Sequence, residues 1–206
     1  MKTVFSLLAS LLLGTAASAA TTGFSLGIAG DNNIPTLTLT NTGDLGEIIG
    51  FDVTMGVSGY NFDGVTNSSE AASAGVSTTL TVGDYNTSGG STSAGRYTTI
   101  SYTSTGFTSG GSFSYAVDVD SNYANNIQNY QTRMLPGGSF SVYFSGGLTS
   151  SLTIDLTPTA GNMSEPYFYS ASVTDAAPVP LPAGLPLLIA ALGGAVALTR
   201  KRRAAA

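Results

Sequence analysis

From Phe24 to Val173 the large apolar residues fall on alternate positions, in short runs separated by glycine-rich breaks. That period constrains the chain more than any other feature, because side chains alternate across a strand with a period of two. Ile49, Phe51, Val53, Met55 and Val57 alternate with Gly50, Asp52, Thr54 and Gly56, which predicts one apolar and one solvated face. The same pattern recurs in Phe24, Leu26 and Ile28, in Leu37 and Leu39, in Val76, Leu80 and Val82, and in Ile100 and Tyr102. It continues in Phe113, Tyr115, Val117 and Val119, in Phe140, Val142 and Phe144, in Leu152, Ile154 and Leu156, and in Tyr167, Tyr169, Ala171 and Val173. About nine short strands with one wet face predict an all-β fold, an antiparallel β-sandwich. Threonine and serine on the outward positions suit hydrated strands. A disordered stalk could share this composition, but it would not space large apolar residues so regularly. Two polar stretches rich in Gly, Ser, Thr and Asn, 58–74 and 84–96, are expected to be long loops.

Composition removes most catalytic solutions. The 206 residues include no Cys, His or Trp. Disulfides, thiolate nucleophiles, Ser-His-Asp triads and ordinary zinc sites are therefore excluded. All 12 acidic residues lie between Asp31 and Asp175, where only Arg96 and Arg133 oppose them, a net of −10. A surface of that sign repels nucleic acid, whose binding needs basic groups to displace counterions. A glycosidase needs only two carboxylates, and Asp52, Asp118, Asp120, Asp155 and Glu165 are the candidates; the plain alternative is a solvated strand face. Asp118, Asp120 and Asn122 recur at every second residue and could offer oxygen ligands to calcium, although the EF-hand glycine and closing glutamate are missing. Otherwise they are solvated strand-end acids, and no cofactor is implied. Of the 10 tyrosines, Tyr60, Tyr85, Tyr97, Tyr123 and Tyr130 fall in or beside loops. Tyr85, Tyr97, Tyr123 and Tyr130 are the candidates for stacking on sugar rings, with capping of the sandwich core as the competing role.

The two ends read as targeting signals. Lys2, the apolar run Val4 to Leu13 and the small residues Ala17-Ser18-Ala19 form the three parts of a secretory signal peptide, residues 1–19, cleaved after Ala19. The expected partners are the Sec translocon and signal peptidase. The expected ectodomain is residues 20–175, long enough to bury a core without disulfides. A proline-rich linker, 176–184, leads to an apolar stretch, 185–199, which predicts one C-terminal transmembrane helix whose span can begin near 181. Arg200, Lys201, Arg202 and Arg203 then open a basic tail, 200–206, that should stay cytoplasmic.

Val179-Pro180-Leu181-Pro182-Ala183, followed by an apolar helix and a terminal basic cluster, resembles the VPLPA-CTERM sorting signal, a variant of the PEP-CTERM signals of Gram-negative bacteria. The resemblance covers only the C-terminal region. It implies recognition by an exosortase, a membrane-embedded cysteine transpeptidase that cuts near the proline motif and passes the ectodomain to the cell surface, often alongside exopolysaccharide production. Such signals are attached to many unrelated domains and leave the ectodomain's activity open. Together these features lead to the expectation of a secreted, non-enzymatic β-protein, anchored transiently or stably in the membrane and destined for the cell surface or extracellular matrix. Its role would be structural, adhesive or matrix-forming. A carbohydrate-binding module for exopolysaccharide is the alternative, and an acid-pair glycosidase the remote one.

Overall fold

The computed structural model describes residues 18–85, 96–122, 129–159, 164–176 and 192–193. Residues 1–17 of the expected signal peptide, the expected sorting motif and the basic cluster lie outside the described residues, as does nearly all of the expected membrane span. No helix among the described residues is long and apolar enough to cross a membrane. Residues Ala20–Asp175 form one compact unit.

That unit is all-β. Its strands are β1 (Thr21–Gly30), β2 (Pro35–Asn41), β3 (Glu47–Thr54), β4 (Tyr60–Ala72), β5 (Ser77–Val82), β6 (Thr99–Phe107), β7 (Ser112–Ser121), β8 (Ser139–Ser145), β9 (Ser151–Asp155) and β10 (Tyr167–Thr174). A single helical turn, α1 (Tyr130–Arg133), precedes β8. The strands form two antiparallel five-stranded sheets, ordered β10-β1-β2-β7-β4 and β5-β6-β3-β8-β9.

The core lies between the sheets, where the alternating residues meet. Phe51 of β3 is fully buried and stacks on Tyr102 and Phe140 within its own sheet, at 5.0 and 5.8 Å between ring centres. It also meets Phe113 and Tyr115 of the opposite sheet at 5.9 and 5.7 Å. Leu26, Ile28, Leu37, Leu39, Val117, Val119 and Val142 complete the layer as the alternation predicts.

Val82 and Val173, placed on apolar faces by the alternation, are exposed, and two further expectations fail through bulges. Ile49 was expected inside, yet it is 43% exposed, while Ile48 is fully buried. The register of β3 shifts between Ile48 and Gly50 against both β6 and β8; opposite β8, Ile49 is the extra residue, and it resets which positions face the core. A Cβ at Gly50 would come within 2.7 Å of the Tyr102 carbonyl oxygen, which restricts the bulge to glycine there. The stretch 58–74 is not a long loop, because most of it is β4, paired with β7. A bulge between Phe62 and Gly64 places the buried Phe62 and Val65 three residues apart, which hides the period of two. Gly64 adopts φ 138°, a conformation that other residues rarely reach.

The bulge in β3 makes opposite predictions for two neighbouring isoleucines. Ile48→Asp should destabilise the domain by about 3 kcal/mol or more, because it buries a charge in the core. Ile49→Asp should cost under about 1 kcal/mol. Chemical denaturation followed by far-ultraviolet circular dichroism measures both, and the reverse order would contradict the register.

Candidate functional site

The polar residues that break the β pattern gather at one end of the first sheet. Asp118 and Asp120 leave β7 on the side opposite Val117 and Val119, which face the core. Asn61 stands directly across the ladder from Asp120. Asp63 is the extra residue of the β4 bulge, and the bulge brings its carboxyl to Asp120, with which it shares a hydrogen bond. Without that bulge strict alternation would carry the strand past this point with Val65 turned outward. The turn after β1 contributes Asn33, whose Nδ2 donates to Asp118 Oδ1 at 2.6 Å. Arg96 donates to the backbone carbonyl of Asn122.

These acids are not the solvated strand-end groups that the sequence suggested. Asp63, Asp118 and Asp120 are 5%, 4% and 8% exposed. Burial raises the Asp118 pKa to about 6, helped by the charges of Asp120 and Asp63, while the Asn33 hydrogen bond pulls the other way. Burial also raises Asp63, followed by the charge and hydrogen bond of Asp120; Arg96 opposes both. Asp120 is raised by burial, against the Asp63 hydrogen bond and Arg96. Among the described residues no group of three or more Asp, Glu, His or Cys side chains is arranged to hold a metal ion.

Asn61 is 1% exposed, and its Nδ2 donates to Asn122 Oδ1 at 2.5 Å. Its Oδ1 has no partner among the described residues. The Tyr115 hydroxyl in the core is likewise without a partner among the described residues, whereas Asn41 and Ser104 are satisfied. Asn41 donates to the carbonyls of Gly46 and Phe107 and accepts from the Gly43 amide, and Ser104 donates to the carbonyl of Ile48.

A second polar region lies across the 31–33 turn. It is a cleft lined by Asp31, Asn32, Gln131, Ser164, Glu165 and Tyr167. Tyr130, for which sugar stacking and capping of the core were the competing expectations, is fully buried. It begins α1, packs edge-on against Tyr167 with ring centres 6.2 Å apart, and donates its hydroxyl to Glu165. Gln131 Nε2 donates to the same Glu165 oxygen at 2.7 Å. The Tyr130 bond, first, and the Gln131 bond hold Glu165 below its ordinary pKa against desolvation. An ionised carboxylate engaged in this way is poorly suited to act as a general acid.

The other candidates are dispersed. Tyr85 and Tyr97 are partly buried against the core, and each bridges β4, at Val65 and Phe62 respectively. Tyr123 lies outside the described residues. Tyr60 is partly buried, with the Arg133 guanidinium 4.6 Å from its ring centre. Asp52 accepts the Tyr143 hydroxyl at 2.6 Å, and Asp155 accepts the Thr157 amide at 2.7 Å. They sit on β3 and β9, with β8 between them. Sequence reasoning missed Asn61, Asp63 and Arg96. The alternation of Asn61 with Asp63 mirrors that of Asp118 with Asp120, a signal visible only once β4 is known to pair with β7. No protein-family model matches the chain, and neither the curated proteins nor the solved structures contain a significant match.

The buried acids set a pH dependence. Asp118 titrates near 3.8 when unfolded and about 6 when folded, so folding favours its protonated form. The resulting cost is absent below the unfolded pKa, grows as pH rises through about 6, and is complete above it. In the presence of a chelator the melting temperature should therefore rise from about pH 7 to about pH 5. Glu165, held low, loses its own contribution only below about pH 4.5. Asp118→Asn, which keeps an acceptor for Asn33, should flatten the rise and add on the order of 2 kcal/mol at neutral pH. Calorimetry measures both, and a melting temperature that falls across this window would contradict the assignment.

Proposed function

We propose that the chain is a non-enzymatic, surface-directed β-protein, exported by its signal peptide and sorted by an exosortase, with a structural, adhesive or matrix role. The observation that carries this reading is the order of three elements at the C-terminus: Val179-Pro180-Leu181-Pro182-Ala183, an apolar stretch, and Arg200-Lys201-Arg202-Arg203. Positive charge resists translocation, so the basic cluster keeps the C-terminus cytoplasmic while the preceding domain is exported. The absence of Cys leaves the exported domain indifferent to an oxidising compartment. Its serine- and threonine-rich outward faces suit an aqueous exterior.

A second reading, binding of exopolysaccharide, draws support from the outer face of the first sheet. Phe168 is 69% exposed and lies over Gly27, in a groove bordered by Thr36, Thr38 and Thr40. An aromatic ring beside a row of hydroxyls offers both a stacking face and hydrogen bonds to a sugar. The groove lies on strands, away from the loop tyrosines.

The sorting reading is tested at Leu181. A stiff linker works by reach, and side-chain identity hardly matters to it. A transpeptidase holds the motif in an active site, where a misplaced charge weakens binding in the transition state. Leu181→Asp keeps Pro180 and Pro182 but introduces such a charge. Intact mass of the mature protein in its native host should show that the wild type loses the apolar stretch and basic tail. The Leu181→Asp protein, and the wild type in a host lacking its exosortase, should both keep the chain through Ala206. A full-length tail on wild-type surface protein would show a simple membrane anchor.

A further inference from the structure

The outer face of the β4–β7 pair holds more acceptors than donors. Asn61 and Asp120 are opposed in the ladder, so their side chains leave the sheet on the same side. Along β7 that face runs from Asp118 through Asp120 to Asn122 beyond the strand end. The Asn61 Nδ2 donates to Asn122, which leaves the oxygen on the other arm of the same planar amide pointing away from Asn122, on the face that also carries Asp120. This oxygen is buried and has no partner among the described residues. A native structure rarely leaves a buried carbonyl without a donor, and a neighbouring carboxylate makes the omission more unfavourable.

The Arg96 guanidinium, which donates to the Asn122 backbone carbonyl, acts on Asp63 and Asp120, whereas Asp118 has the Asn33 amide as its hydrogen-bond donor. Asp63 and Asp120 are both buried and are brought together by the bulge, so their negative charges repel one another at short range. A water molecule could satisfy the Asn61 oxygen but would leave the charge uncompensated. A hard divalent cation satisfies both, because it takes carboxylate and neutral amide oxygens together. Carboxylates alone do not assemble such a group among the described residues, so the amide oxygen is an essential part of the ligand set.

We propose that Asp63, Asp120 and the Oδ1 of Asn61 bind a calcium ion on the outer face of the β4–β7 pair, with Asp118 adding negative charge beside it. The ion neutralises the two carboxylates and joins the bulged edge strand β4 to its neighbour β7. This inference stands apart from the sorting signal and does not depend on it.

The experiment is isothermal titration of calcium chloride into the chelator-treated full-length protein in detergent. Wild type should show one site, with a dissociation constant in the range of extracellular calcium modules, about 10⁻⁴–10⁻³ M. Asp63→Asn and Asp120→Asn, close in shape to the originals, should each weaken it at least about tenfold. Asn61→Ala, which removes the unpartnered oxygen, should weaken it as well. Asp155→Asn changes an exposed acid outside the cluster and should leave the affinity unchanged. Far-ultraviolet circular dichroism identifies any variant that has lost its sheets, in which case the remaining variants carry the comparison. Absence of calcium binding in the wild type, or wild-type affinity in the folded Asp63, Asp120 and Asn61 variants, overturns the proposal.

Discussion

The contact of Phe51 with Phe113 and Tyr115 across the interior, at 5.9 and 5.7 Å between ring centres, is what the rest of the domain depends on. With no Cys in the chain, nothing covalent joins the sheets, and burial of apolar surface must hold them face to face. Truncating a fully buried Phe costs about 3–5 kcal/mol in other cores, a large share of a small domain's stability. Tyr102 extends the cluster, meeting Tyr115 at 5.1 Å and sending its hydroxyl to Glu70 of β4 at 2.6 Å. One aromatic group thus unites both sheets and reaches the edge strand. The Tyr115 hydroxyl, buried without a partner among the described residues, shows that packing there outweighs a missing hydrogen bond.

An aromatic interior leaves the outward faces free to vary. On the first sheet they divide in character: β1 and β2 carry small and hydroxylated residues around Phe168, whereas the pair β4–β7 carries Asn61, Asp63, Asp118 and Asp120. The strands are shared, so the rigidity of the core passes to both surfaces. The bulge at Asp63 is the local exception, since it bends an edge strand and brings a carboxylate toward its neighbour. An acid cluster built in this way is unfavourable until a proton or cation compensates it, and stability should then respond to the surrounding medium.

Strands with strict alternation were legible from the sequence. Leu37 and Leu39, and Phe140, Val142 and Phe144, occupy the buried positions that the period of two assigns them. Where a bulge intervenes the rule fails at a definite residue: Ile49 yields the core position to Ile48, and β4 disappears because Phe62 and Val65 are three apart. Tyr130 is ambiguous in the sequence for another reason. Its neighbourhood is polar, but one turn of helix and the Glu165 carboxylate bury the ring while satisfying the hydroxyl. The acid motif was visible along β7 as Asp118, Asp120 and Asn122, whereas Asn61 and Asp63 join it only through pairing between distant strands. Local pattern reveals a strand's faces, and long-range register decides which polar residues meet.

The central claim, that this sandwich is presented outside the cell, is most directly tested by where antibody can reach it. A short epitope inserted after Ser109 lies in the exposed turn between β6 and β7, and far-ultraviolet circular dichroism checks that the fold survives the insertion. Antibody binding to intact native-host cells, compared with the same cells after permeabilisation, measures exposure. Intact cells or their surrounding matrix should bind nearly as much antibody as permeabilised ones. Signal seen only after permeabilisation, with the protein present in full amount, would contradict it.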